Sequence, residues 1–287
     1  MRLIATDMDG TLLNEIGEVS KENAAAITRA LEQGIEVVVA TGRAYESAIR
    51  PLQHANLQLP IISLNGAISY TEDKQVVSEY PLTAEHAKII LQSCQRHQVY
   101  YEMFTNKGLL ATNGDDFIQI MLEYMQATNH EVDSADIEAK VRQRFVDENV
   151  TFTSDFDQIV HDSKIEIFKI LVFTNDQSKI NQIKAELGDT PIAITASSSI
   201  SLEFNDTKAQ KGIALQQFAT SKGIDMRDVM ALGDHLNDLS MLKMAGRGVA
   251  MGNATEEIKQ ICKHITKTNA EHGVAVAIEE ILRTQVI

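Results

Sequence analysis

Leu3-Ile4-Ala5-Thr6-Asp7-Met8-Asp9-Gly10-Thr11-Leu12 runs from four residues suited to a buried strand straight into two acids one residue apart and a glycine. A short apolar run that stops at an acidic, glycine-containing turn reads as a strand covered on both faces. The chain beyond it repeats the theme. Residues 20–33 place Ala24, Ile27, Ala30 and Leu31 at helical spacing, with Ser20 as N-cap, Glu22 and Glu32 on the wet face and Gly34 as terminator. Residues 35–40 form a β-branched run that ends at Thr41-Gly42-Arg43, and Ile61-Ile62-Ser63-Leu64 leads into Asn65-Gly66. Strand–helix–strand alternation with nearly all-apolar strands predicts an α/β fold: a doubly wound, Rossmann-like parallel sheet with helices on both faces.

The texture changes near residue 83. Residues 83–98 suit an amphipathic helix, 99–104 a strand, 115–128 a helix and 164–173 a long strand. A helix to Leu187 and the strand Ile192-Ala193-Ile194-Thr195 follow, while the polar stretch 129–162 fits no single period. From about residue 200 the first pattern returns. A helix over 211–222 precedes the buried strand Val229-Met230-Ala231-Leu232, which runs into Gly233-Asp234. Gly248-Val249-Ala250-Met251 is a further strand before Gly252-Asn253, and a helix over 271–282 closes the pattern. The expected organisation is a discontinuous core, 1–82 and 197–287, interrupted by an inserted α+β domain over 83–196. Ligands of open α/β sheets bind outside the carboxyl ends of the strands. Here four strands end in polar clusters: Asp7-Met8-Asp9-Gly10-Thr11, Thr41-Gly42-Arg43, Asn65-Gly66 and Gly233-Asp234-His235-Leu236-Asn237-Asp238.

Composition narrows the function classes. The 287 residues give a length prior of about two domains, and 44% apolar with 23% charged residues is the balance of a soluble globular protein. A net charge of −14 argues against a nucleic-acid or membrane-surface binder, whose affinity comes from clustered Lys and Arg. Any anion site must therefore supply its own local positive charge. Cys94 and Cys262 have no spacing for zinc or redox work and read as free thiols. The residues Met1 to Asp7 lack the apolar run of a secretory signal, and no window approaches the ~18 apolar residues of a membrane span. The expectation is a cytoplasmic protein. Oligomeric state is not legible in the sequence.

A lone Asp after a strand is usually a turn or cap residue. Asp7 and Asp9 together are more informative, because close carboxylates repel unless a cation sits between them. Oxygen-only ligands select a hard ion, and Mg²⁺ fits a site with few carboxylates and a bound phosphate. A calcium loop fails on spacing, since Gly10 is fourth from Asp7 and an EF-hand needs it sixth. Asp234 and Asp238 stand i and i+4, one helical face or merely an acidic helix start. Taken singly, Thr41, Asn237 and Lys211 are ordinary strand-end or surface residues.

Order and context add what the single residues lack. The chain resembles the haloacid dehalogenase superfamily, in particular its Cof-type phosphatases with a large inserted cap. Asp7-Met8-Asp9-Gly10-Thr11-Leu12 looks like the family's nucleophile loop, Thr41 its hydroxyl motif, Lys211-Gly212 its lysine motif, and Gly233-Asp234 with Asn237-Asp238 its acidic motif. Asn65-Gly66-Ala67 and Gly248-Val249-Ala250-Met251-Gly252-Asn253-Ala254 are similar to secondary hallmarks of the subgroup. The resemblance implies a phosphatase of small phosphorylated metabolites working through an aspartyl-phosphate on Asp7. Asp9 would be the general acid and base. Mg²⁺ would be held by Asp7, the Asp9 main-chain carbonyl and Asp234. Thr41, Gly42, Arg43, Asn65, Lys211 and Asn237 would bind phosphate, and Asp238 would steady the lysine or a metal-bound water. The cap would read the leaving group, with sugar phosphates, pyridoxal phosphate and flavin mononucleotide as candidate substrates. Lys208, three residues before Lys211, is a rival for the lysine role. A phosphotransferase or phosphomutase shares the first chemical step, and a catalytically idle phosphometabolite sensor shares the fold. A dehalogenase is disfavoured by the acid at Asp9.

Overall fold

The computed structural model describes residues 1–128 and 133–285. The chain divides into two compact units, Met1–Tyr80 with Lys208–Ile287, and Pro81–Thr207. In the first, the strand Leu3–Thr6 sits at the centre of an eight-stranded sheet. On one side lie the strands Glu36–Ala40 and Ile61–Ser63, and on the other Val229–Gly233, Arg247–Ala250 and His264–Ile265, all parallel. The chain winds outward first one way from Leu3–Thr6 and later the other, which makes the carboxyl end of that strand the topological switch point. Leu3, Ile4, Ala5, Val38, Val39, Met230 and Leu232 have no exposed surface. Burial of each large aliphatic side chain stabilises by about 1.5–3 kcal/mol, which is why a continuous apolar run makes a central strand.

The sheet also has an antiparallel edge, Ile68–Tyr70 and Val76–Glu79, which the strand–helix rhythm did not announce. The helix Lys21–Glu32 begins as its sequence requires, the Ser20 hydroxyl accepting from the Asn23 N–H at 3.2 Å. It packs along the last helix, Gly273–Gln285.

The second unit is built on a six-stranded sheet in the order Ile192–Thr195, Ser201–Asp206, Ile167–Phe173, Tyr100–Thr105, Gly108–Ala111 and Thr151–Phe152. It is antiparallel except for its last pair. The helices Ala84–His97, Phe156–His161 and Gln177–Leu187 share an apolar cluster with one face of this sheet. One expected boundary moves. Ser201–Asp206 pairs with both Ile192–Thr195 and Ile167–Phe173, so the chain leaves this unit after Thr207 rather than after residue 196. Sheet membership is a long-range pairing, and the composition of 197–207 does not signal it. The stretch 129–162 contains the helix Ser134–Asp147, a two-residue strand and the short helix Phe156–His161, with residues 129–132 outside the described residues.

A buried charge network secures the second unit. Glu102 is fully buried, and its carboxylate accepts from both Arg144 terminal nitrogens at 2.7 and 2.6 Å and from the Tyr100 hydroxyl at 2.9 Å. The Arg144 guanidinium also lies 5.0 Å from the Phe117 ring centroid and 2.9 Å from Glu148. Removing one partner strands the other's charge, so Arg144→Ala is expected to destabilise this unit by about 3–5 kcal/mol. Urea unfolding checks this, and a loss under about 1 kcal/mol would show that the network contributes no more than a surface pair.

Candidate active site

Because strands of a parallel sheet end at one edge, residues far apart in sequence converge there. Thr6 is in register with Leu232 and Val39, so the turns after three adjacent strands open side by side. Asp7 follows the first, Thr41 the second and Asp234 the third. All the sequence-predicted site residues belong to the first unit.

The loop after Leu3–Thr6 is irregular. Asp9 is extended and Gly10 has φ +75°, a left-handed conformation that suits glycine. A side chain at Gly10 would also place its Cβ 2.4 Å from the Asp234 Oδ2, so glycine lets this loop and the acidic loop of Asp234 approach. Thr11 is buried and its hydroxyl donates to Asp234 Oδ1 at 3.1 Å. Thr11 received no role from the sequence, and only the contact reveals one.

Lys211 opens the helix Lys211–Ser221 and is entirely buried. Its Nζ donates to Asp7 Oδ1 at 2.6 Å and to Asp238 Oδ1 at 2.7 Å. Lys208 is exposed, so the structure places Lys211 and not its rival beside Asp7. The Ser240 hydroxyl accepts from the Gly212 N–H at 2.9 Å and fixes the start of that helix, a contact with no local sequence signal. Asp238 is also fully buried. Its second oxygen accepts from the N–H groups of Asp234 and His235 at 3.0 and 3.2 Å, closing the acidic turn on itself.

Asp7, Asp234 and Asp238 offer carboxylate oxygens within 4.8 Å of one another. Burial raises the Asp7 pKa well above the usual carboxylate range, and Asp238 raises it further against the pull of Lys211. Asp234 is raised by burial and then by Asp238. Burial pulls Lys211 down, yet the charges of Asp238 and Asp7 outweigh it and hold the ammonium above its ordinary value. Three carboxylates against one ammonium leave two negative charges uncompensated, the amount one divalent cation carries. All donors are oxygens, so the residues fit a hard cation such as Mg²⁺. Asp238 already spends both oxygens on Lys211 and two N–H groups, which leaves Asp7 and Asp234 as the side chains able to hold it.

Thr41 is buried, and its Oγ1 accepts from the Arg43 N–H at 3.1 Å. Asn65 is held in the left-handed region at φ 61°, its N–H donating to the Thr41 carbonyl at 2.9 Å. A Cβ on Gly42 would lie 3.0 Å from the Asn65 Oδ1, and Asn237 Nδ2 reaches that same oxygen at 3.4 Å. Gly42, Asn65 and Asn237 therefore meet, as their assignment to one site requires.

Two further residues of the predicted site pair with each other. The Asp9 carboxylate is not among the clustered acids, and its side chain is 59% exposed. Arg43 grips Asp9 with Nε and a terminal nitrogen at 2.8 and 2.5 Å.

An α/β sheet with a buried Asp–Lys–Asp array and a further acid at its switch point has the donors for a hard cation where ligands of such sheets bind. The sequence profile of haloacid dehalogenase-like hydrolases matches residues 4–278, and the chain belongs to that family. It is 33% identical to phosphatase YwpJ of Bacillus subtilis over 98% of this chain and 100% of the relative. It is also 33% identical to the 5-amino-6-(5-phospho-D-ribitylamino)uracil phosphatase YwtE of the same organism, over 99% of each chain. The solved structure of a haloacid dehalogenase-like hydrolase from B. subtilis superposes with a TM-score of 0.86 at 33% identity, covering 98% of this chain and 100% of the other. No helix among the described residues is long and apolar enough to cross a membrane.

Proposed function

We propose that this chain is a Mg²⁺-dependent, cytoplasmic phosphatase that hydrolyses phosphate monoesters of small metabolites through an aspartyl-phosphate on Asp7. The observation that carries this reading is the buried Lys211 joined to both Asp7 and Asp238 beside Asp234. A bound Mg²⁺ would neutralise phosphoryl oxygens, held by Asp7, Asp234 and the main-chain carbonyl of Asp9.

An oxygen of the Asp7 carboxylate forms a bond to phosphorus as the ester P–O bond breaks, and the departing alkoxide takes a proton from Asp9. In the second half-reaction, Asp9 takes a proton from water, whose oxygen bonds to phosphorus. The acyl-phosphate P–O bond then breaks, restoring Asp7 and releasing inorganic phosphate. Lys211 fixes the orientation of the Asp7 carboxylate and offsets charge on the phosphoryl group. The Thr41 oxygen accepts from the Arg43 N–H, and its hydroxyl proton serves a phosphoryl oxygen. Asn65 and Asn237 add amide donors. Asp238 holds Lys211 and the acidic turn in register. Locally clustered donors thus offset the acidic charge of the protein as a whole.

The unit Pro81–Thr207 is proposed to act as the cap that reads the leaving group, because every phosphate-handling residue lies outside it. Substrates of the kind named for YwtE, together with sugar phosphates, pyridoxal phosphate and flavin mononucleotide, are the class to test. Purified protein is expected to release phosphate from members of that panel with Mg²⁺ and to stop in excess chelator, with Ca²⁺ restoring little. Full activity in chelator would end the metal assignment. Phosphate recovered on a second hydroxyl instead of in water would make the protein a transferase.

A further inference from the structure

The loop after Leu3–Thr6 is held by more than its own backbone hydrogen bonds. Between Met8 and Leu13 the backbone is irregular: the Leu12 and Leu13 N–H groups close onto the Asp7 and Met8 carbonyls at 3.3 and 2.9 Å, and Leu13 bridges Val19, but no continuous helix or strand holds the turn at Gly10. Three asparagines from three other segments donate to its carbonyls. Asn253 Nδ2 donates to the Gly10 carbonyl at 2.8 Å, Asn23 Nδ2 to the Leu12 carbonyl at 3.0 Å, and Asn269 Nδ2 to the Leu13 carbonyl at 3.0 Å. The amide oxygens are engaged as well. Asn253 Oδ1 accepts from the Asn269 N–H at 3.0 Å, and Asn23 Oδ1 accepts from the Ala275 N–H at 2.9 Å.

Asn253 occupies the centre of this arrangement. Its own turn is tied down by the Gly252 N–H donating to the Lys267 carbonyl at 3.0 Å. Two residues on, the Thr255 N–H donates to the Asp234 carbonyl at 3.1 Å. One short turn therefore bonds the loop that presents Asp7 and Asp9 to the loop that presents Asp234.

We infer that Asn253 is a positioning residue, which sets the nucleophile loop against the acidic loop through its bond to the Gly10 carbonyl, with Asn269 as its support. The inference rests on the phosphatase reading for its catalytic consequence but not for its structural one. Asn253 is exposed and fills no part of the core, so its replacement leaves the fold intact. Asn23 is fully buried and is a poorer probe for that reason.

The test pairs Asn253→Ala with Asn253→Asp in the full chain. Asp keeps the oxygen that accepts from Asn269 but has no N–H to give Gly10. Both variants are expected to lower kcat on p-nitrophenyl phosphate by about tenfold or more, the scale of a small misplacement of reacting groups, while KM moves less. Amide hydrogen exchange over residues 8–13 is expected to quicken in both, and melting temperature to stay near wild type. Asn269→Ala is expected to quicken exchange at the same loop with a smaller kinetic loss. Wild-type activity and unchanged exchange in Asn253→Ala would overturn the inference, as would full rescue by Asp. If wild-type protein releases no phosphate from any substrate, the functional reading fails, and the exchange measurement alone still decides whether Asn253 holds the loop.

Discussion

Asp7→Asn is expected to abolish turnover, by on the order of 10⁴-fold or more, while leaving the protein folded. An amide is close to the carboxylate in size, so the packing around position 7 survives. It is a poor nucleophile toward phosphorus, however, and no neighbour can replace it. Asp238 has both oxygens bonded, to Lys211 and to two N–H groups, and Asp234 accepts from Thr11. The substitution also removes one of the two carboxylates paired with Lys211, whose burial then weighs more heavily. A modest fall in melting temperature should accompany the loss of activity, with Asp238 keeping the ammonium paired. Circular dichroism with a phosphate-release assay checks both parts. Activity within tenfold of wild type would remove Asp7 as the nucleophile.

Replacing Asp9 by Asn should cost about 10²–10⁴-fold, the usual scale for a general acid–base group. The size of the loss should depend on the substrate. An alkyl phosphate needs its departing oxygen protonated, whereas p-nitrophenolate leaves unaided, so the loss should shrink for p-nitrophenyl phosphate. An equal loss for both would contradict the acid role. In the structure Asp9 is gripped by Arg43 at the protein surface, with side chains 59% and 30% exposed. The pair is bidentate, so freeing Asp9 for a substrate breaks two charge-assisted hydrogen bonds. If Arg43 serves mainly to hold Asp9, Arg43→Gln should change the leaving-group dependence more than it changes KM.

Much of the architecture was legible because it is local. Apolar runs four to five residues long, each followed by helical periodicity and a glycine, specify strand–helix units wherever they occur. Ser20 caps its helix and Thr83 caps Ala84–His97 through their own next residues, which a sequence displays directly. The second unit was less legible. Its sheet joins strands out of sequence order, and Ser201–Asp206 gains its place only by pairing with Ile167–Phe173. The antiparallel edge at Ile68–Tyr70 and Val76–Glu79 was missed for a related reason, since short, partly exposed strands have little hydrophobic pattern.

The same division runs through the site. The sequence by itself determined which chemical groups stand at the strand ends, Asp7, Asp9, Thr41, Asn65, Asp234, Asn237 and Asp238, and that Lys211 stands at a helix start. Strand ends are a local property, and a parallel sheet gathers them on one edge. Tertiary structure decided what each group touches. It chose Lys211 over Lys208 by burying one and exposing the other, and it joined Lys211 to Asp7 across 204 positions of sequence. It turned Arg43 onto Asp9, placed the Thr11 hydroxyl on Asp234, and brought Asn23, Asn253 and Asn269 to the carbonyls of one loop. Asparagine, threonine and lysine are common in turns for many reasons. A hydrogen bond acts only within about 3 Å, and that proximity is a property of the folded chain rather than of any segment of it.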